Sequence, residues 1–215
     1  MSVAEGFRIF LPPNQLVMLR HFFLALVALC PCLLHAQVTG FSYELDTVFA
    51  ANEPFGLANH GVHSVYANFT HPEDVVGAVY GDVLALGTPP MGIDAPCGCN
   101  NPASTSSVID ASNNPAFFPA FPDYEYDSFW TIGMTTSVDV GQLPSSIGLG
   151  SPVDLCSGLN IENGTVYITG TTGDWPVNAV AGEDLKVLVA RVTTECGFSL
   201  QACIMACLLY TSDAA

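Results

Sequence analysis

A period of two constrains this chain more than any other feature. Phe41, Tyr43 and Leu45 alternate with Ser42, Glu44 and Asp46, while Val65, Ala67 and Phe69 alternate with Ser64, Tyr66, Asn68 and Thr70. Only an extended strand sends every second side chain to the same side, so both segments predict half-buried strands with one solvated face. The first is expected over Phe41–Phe49. Asp74–Tyr80 is expected to follow as a partner strand. A helix competes there, because Thr70 stands three residues before Glu73, Pro72 falls in what would be the first turn, and Gly81 closes the segment. Val75, Val76 and Val79 are poor helix formers and favour the strand.

Further strands are predicted over Ser128–Val138, with Trp130, Ile132, Met134 and Thr136 on one side, at Val166 and Ile168, and over Leu185–Thr194. Gly197 separates the last of these from Phe198–Met205, which reads as a hairpin. The stretches Gly87–Asn114 and Gly141–Asn163 are rich in Pro, Gly, Ser and Asn and read as long loops. Seven or eight short strands, little helix and long loops predict an all-β fold, a single antiparallel β-sandwich domain. A chain of this length buries roughly 70% of its unfolded surface, enough for one core without metal or oligomer support.

The two ends read differently from the middle. From Met18, a Leu-Arg-His start leads into an apolar run from Phe22 to Leu34, broken at Pro31 and followed by Leu34-His35-Ala36. The run is shorter than the roughly 20 residues that span a bilayer, and it fits a secretory signal peptide cleaved before Gln37. Residues 1–36 are therefore expected to be upstream sequence and signal peptide, and 37–206 the sandwich domain, without a membrane span. Cys207–Ala215 resembles a translated sequencing-library adapter. On that reading 207–215 is a non-native tail, and the natural chain continues beyond Ala206. The expected location is secreted or cell-surface.

Export bears on the cysteines. With Cys30, Cys32 and Cys207 set aside, Cys97, Cys99, Cys156, Cys196 and Cys203 remain, which suggests two disulfides and one cysteine over, with the pairing open. A zinc reading of Cys97-Gly98-Cys99 is disfavoured by the one-residue spacing and the lack of a second ligand pair. Charge excludes one class of partner outright. Twenty acidic residues against four basic ones give a net charge of -16, so no basic surface exists to neutralise a nucleic acid.

Candidate chemistry is sparse. Asp123, Glu125 and Asp127 interleave with Tyr124 and Tyr126 just before a predicted strand, and clustered carboxylates are relieved by a hard cation such as calcium. No EF-hand glycine or closing glutamate accompanies them, and solvated loop charges are the competing reading. Asp174, Asn178, Glu183 and Asp184 form a weaker second cluster. His60, His63 and His71 have spacings that admit zinc or copper, but lack the His-Glu-x-x-His pattern and read better as loop histidines. No Gly-x-Ser-x-Gly elbow marks a serine nucleophile. Asn68-Phe69-Thr70 and Asn163-Gly164-Thr165 fit the N-glycosylation pattern.

Five stretches carry a resemblance: Tyr66–Thr70, Val76–Asp82, Asn114–Phe118, Tyr126–Gly133 and Ala181–Leu188. In this order they resemble segments of uncharacterised secreted proteins of marine bacteria, notably Bacteroidetes, which often carry C-terminal sorting domains. The similarity spans most of Phe41–Ala206 and implies a sandwich module within a longer exported or surface-displayed protein. It supplies no catalytic residue, and the Cys97-Gly98-Cys99 excursion departs from it.

The expected function is a non-catalytic extracellular module for adhesion, matrix or glycan binding. Tyr124, Tyr126 and Trp175 are its candidate ligand-binding aromatics, since aromatic faces stack on sugars while nearby carboxylates accept hydroxyl hydrogen bonds. The competing reading is an extracellular hydrolase or metalloenzyme using an acid pair from Asp123, Asp127 and Asp174, and a third is a purely structural spacer.

Overall fold

A computed structural model describes residues 38–53, 56–102, 114–149, 155–171 and 174–208. The expected signal peptide and residues 209–215 of the expected tail lie outside the described residues. Among the described residues the chain forms β1 (Val38–Val48), β2 (Gly61–Phe69), β3 (Asp74–Asp82), β4 (Met91–Asp94), β5 (Phe129–Trp130) and β6 (Ser145–Ile147). β7 (Ser157–Ile161), β8 (Asn163–Tyr167), β9 (Lys186–Thr194), β10 (Ser199–Gln201) and β11 (Cys203–Leu208) complete the set. The only described helices are single 3-10 turns at Pro115–Phe117, Pro122–Tyr126 and Val177–Ala179. None is long and apolar enough to cross a membrane.

Every strand pairing is antiparallel, and the fold is all-β and sandwich-like, as the alternation predicts. One layer has the order β1-β2-β9-β5. The other comprises two sheets, β10-β4-β7 and β11-β3-β8-β6. β10 passes into β11 across Ala202 alone, and β7 into β8 across Glu162 alone, so these sheets form one bent layer sharing two broken strands. The core lies between the layers. Val65, Ala67 and Phe69 of β2 and Val187, Ala190 and Val192 of β9 meet Val75, Val76 and Val79 of β3, Met91 and Ile93 of β4, and Val166 of β8. Each fully buried Val, Ile, Met or Phe side chain among them contributes about 1.5 to 3 kcal/mol.

The expected β2 and β3 both form. At the start of β3 the His71 amide donates to the Asp74 carboxylate at 3.1 Å and the Asp74 amide to the His71 carbonyl at 3.1 Å. This local turn commits the His71–Asp74 backbone to a non-helical path, and the β-branched run then enters the ladder. The expected alternation in β1 also forms, with Phe41 opposite Ala67 and Tyr43 opposite Val65. β1 is an edge strand, however, and Phe41 and Tyr43 stay 41% and 69% exposed.

Three expectations require correction. The strand expected over Ser128–Val138 stops at Trp130, because Gly133 takes a φ of +67 and Asp139 folds Thr135 and Thr136 back into a turn. Ile132 and Met134 are still buried, and the Thr131 and Gly133 amides still donate to the Val189 and Leu188 carbonyls. The hairpin expected around Gly197 does not form. β9 pairs with β2 and β5, while β10 pairs with β4, so the chain crosses between layers at this point. The two long loops contain three strands the alternation did not reveal, β4, β6 and β7, each too short or too glycine-interrupted to show a period.

Disulfides join Cys97 to Cys196 and Cys99 to Cys156, with Cα separations of 5.9 and 6.0 Å. All four sulfurs of the excursion and its partners are thereby used, which removes the zinc reading of Cys97-Gly98-Cys99. Together the bonds tie the segment after β4 to the end of β9 in one layer and to the residue preceding β7 in the other. Cys203 and Cys207 are free, and both lie in β11, which runs two residues past Ala206.

Asp139 anchors the turn after β5. Its carboxylate accepts from the amides of Thr135 and Thr136 at 2.5 and 3.0 Å and from their hydroxyls at 2.9 and 2.7 Å. Partial burial alone would raise its pKa, but these four donors outweigh it and hold the carboxyl below its ordinary 3.8.

Two stability measurements follow. Replacing Cys99 and Cys156 together by Ser opens a cross-link of sequence separation 57 and is expected to reduce the unfolding free energy by about 4 kcal/mol in urea titrations. Asp139→Asn is expected to cost about 1 kcal/mol at neutral pH. Because the folded-state pKa is depressed, that deficit is fully present above pH 3.8 and shrinks as the pH falls through the folded value. A deficit unchanged down to pH 2 would exclude the charged carboxylate as its origin.

Candidate functional site

The inward placement of Val79 and Val166 sends their neighbours to the outer face of the bent layer. There the register sets Ala78 opposite Tyr167, Tyr80 opposite Thr165 and Asp82 opposite Asn163. Tyr80 and Tyr167 thus stand as diagonal neighbours, with the small Ala78 leaving the space between them open. On the far side of β3 the register slips, with Met205 opposite Ala78 but Ala206 opposite Val76, so Gly77 is the extra residue of a bulge. The Ile168 amide donates to the Gly77 carbonyl at 3.0 Å and extends the face beyond β8.

The result is a hollow of about 570 Å³ floored by Ala78, Tyr80, Thr165 and Tyr167 and walled by Leu86, Ile147 and Met205. A second hollow of about 330 Å³ lies beside it, lined by Gln142, Thr169, Asp174 and Trp175. Thr169 borders both. Trp175 links them physically. A methyl group built on Gly77, which lines the larger hollow, would meet the Trp175 ring at 3.3 Å, and one on Gly170 would meet it at 2.5 Å. The indole therefore lies over Gly170, with its outer corner reaching toward Gly77 at the junction.

Local hydrogen bonds fix this arrangement. Thr171 and Asp174 exchange backbone bonds of 3.1 and 2.9 Å immediately before Trp175. Asn178 donates to the carbonyls of Ile132 and Gln142 at 2.6 and 3.1 Å and accepts from the Gln142 amide at 3.0 Å. Gln142 is thus held at the rim, where its side chain donates to the Thr169 hydroxyl at 3.3 Å. Asn178, expected as a member of an acidic cluster with Asp174, Glu183 and Asp184, serves as a clamp for this rim.

Of the three aromatics expected to bind ligand, Trp175 lies in this groove, and the other two lie on another element. Tyr124 stacks on Phe121 with centroids 5.0 Å apart, and Tyr126 packs edge-on against Phe49 at 4.7 Å. Both ride on the 3-10 turn Pro122–Tyr126, whose carbonyls are held by Asn100 (2.9 Å to Asp123 and to Tyr126) and by Arg191 (3.0 Å to Glu125). This turn covers the β9 layer. Partial burial, then the neighbouring Glu125 carboxylate, raise the Tyr126 pKa above its ordinary value.

Asp123, Glu125 and Asp127 are not gathered as a ligand set. Among the described residues no three His, Cys, Asp or Glu side chains come together in a way that would hold a metal ion. Asp127 is fully buried, accepting from the Ser128 amide at 2.8 Å. As a hydrolytic pair, Asp123 and Asp127 belong to the turn over β9, whereas Asp174 borders the smaller hollow. The histidines are likewise dispersed. His60 bonds the Ala58 carbonyl at 3.0 Å, His71 accepts from the Glu73 amide at 3.2 Å, and His63 lies beside Phe198 with its pKa lowered by burial against an opposing Asp46 charge. Of the two sequons, Asn68 accepts the Ser42 hydroxyl at 2.9 Å on β2, and Asn163 borders the larger hollow.

Tyr80 and Tyr167 were not singled out in the sequence. The signal was present in their phase: each alternates with buried aliphatic residues, Val79 in one strand and Val166 and Ile168 in the other. An aromatic on the solvated phase of two strands becomes meaningful only when those strands are neighbours.

Only Trp130 and Trp175 contribute indole fluorescence, and Trp130 is fully buried. Gly170→Val is therefore expected to lift Trp175 and shift the emission to longer wavelength while leaving the unfolding transition cooperative. An unchanged spectrum would show that Gly170 does not seat the ring.

No family model, curated protein or solved structure matches this chain.

Proposed function

We propose that the protein is a non-catalytic extracellular module that binds a glycan along the outer face of β3 and β8. The observation that carries this reading is the joined groove, in which Tyr80, Tyr167 and Trp175 lie beside Asp82, Asn163, Thr165, Thr169 and Asp174. Sugar rings present apolar C–H faces and hydroxyl edges. Aromatic rings take the first, and carboxylate, amide and hydroxyl groups take the second. A preformed concavity of several hundred cubic ångströms with few polar groups is the usual form of a small-ligand site.

Export agrees with two disulfides, which persist in oxidising compartments. The acidic surface suits a soluble extracellular domain and gives an adhesive role through anionic partners no support.

Trp175→Ala and Tyr167→Ala are each expected to weaken binding to glycan arrays by about tenfold or more, a loss of about 1.4 kcal/mol, while Tyr124→Ala leaves binding within about twofold. A loss confined to Tyr124→Ala would move the site to the turn over β9. Release of sugar products from a bound polymer would replace the binding reading with the hydrolase.

A further inference from the structure

We infer that the ligand is an internal stretch of an uncharged polysaccharide chain, a conclusion that rests on the glycan reading above and adds its chemical class. Charge supplies the first half. Lys186 and Arg191 are the only cations between residues 38 and 208, and neither reaches the groove. Lys186 lies on β9 in the other layer, bonded to Glu44 at 2.5 Å and set 4.3 Å over the Tyr66 ring. Arg191, also on β9, donates to the Glu125 carbonyl. The groove itself carries a carboxylate near each end, Asp82 and Asp174. A sulfated or uronate chain would meet those carboxylates without a compensating cation, in the field of a chain with a net charge of -16. A neutral chain loses nothing there, and its hydroxyls can donate to both acids.

Length supplies the second half. The face from Asn163 to Thr169 covers seven residues, about 20 Å at the usual strand rise. Trp175 prolongs it at one end. Both hollows are open to solvent and adjoin at Thr169, which gives a polymer one continuous path. Aromatic rings distributed along such a path engage successive sugars rather than one terminal sugar.

The test titrates the full chain with soluble β-glucan, mannan and xylan as neutral polymers, alginate as the carboxylated one and dextran sulfate as the sulfated one. Neutral oligomers of two to six units are added from whichever neutral polymer binds. The expected result is binding of at least one neutral polymer about tenfold or more tighter than either anionic polymer. That binding is expected to be insensitive to salt, because no ion pair is formed. Affinity is also expected to rise at least tenfold from the disaccharide to the hexasaccharide. Trp175→Ala should abolish that length dependence.

Tighter binding of alginate or dextran sulfate that is lost in Trp175→Ala would overturn the uncharged class and leave the glycan site standing. A disaccharide as tight as the hexasaccharide would overturn the internal stretch. Absence of binding to all five polymers would defeat the glycan reading itself, and this inference with it.

Discussion

Burial of one face of β3 and β8 is the constraint from which the rest of this molecule follows. Val79 and Val166 are fully buried between the layers, and strand geometry then leaves Tyr80, Thr165 and Tyr167 no choice but the opposite side. The groove is thus a consequence of the core. A slip of one residue in the β3–β8 register would bury tyrosines and expose valines, so hydrophobic burial fixes the groove's composition as firmly as it fixes the fold.

Where ideal pleating would give a flat surface, three glycines depart from it. The bulge at Gly77 interrupts the ladder with β11 and leaves room for the Trp175 ring, and Gly170 allows the same ring to lie against the backbone. Gly133 ends β5 at a positive φ, and its Cα faces the Asn178 backbone so closely that any side chain would collide with it. Asn178 in turn clamps Gln142 at the groove rim. Backbone irregularities in both layers therefore converge on one site.

The disulfides act elsewhere. They fasten the excursion after β4 to both layers, at the end away from Trp175. Charge is divided in a similar way. The two cations of the folded segment lie on β9 and engage oxygen acceptors there, leaving the bent layer's outer face with carboxylates alone. The Glu44 hydrogen bond holds the Lys186 pKa above its ordinary value, so that cation stays charged and paired.

Much of the fold was legible in the sequence, because a period of two in β1, β2 and β9 reports local geometry directly. Valine content decided β3 against a helix, and composition pointed to two disulfides. The strands β4, β6 and β7 were hidden because segments of three to five residues among glycines and prolines carry too few alternations to register. Trp175 was visible as an isolated aromatic near acids, but its partners were not. Tyr80 and Tyr167 are separated by 87 positions, and only the β3–β8 pairing makes them neighbours. The sequence by itself determined that strands would form and which face of each would be apolar, since those depend on neighbours along the chain. Tertiary structure decided which strands adjoin, where the chain crosses between layers, and which cysteines meet, because those depend on the joint packing of surfaces far apart in sequence.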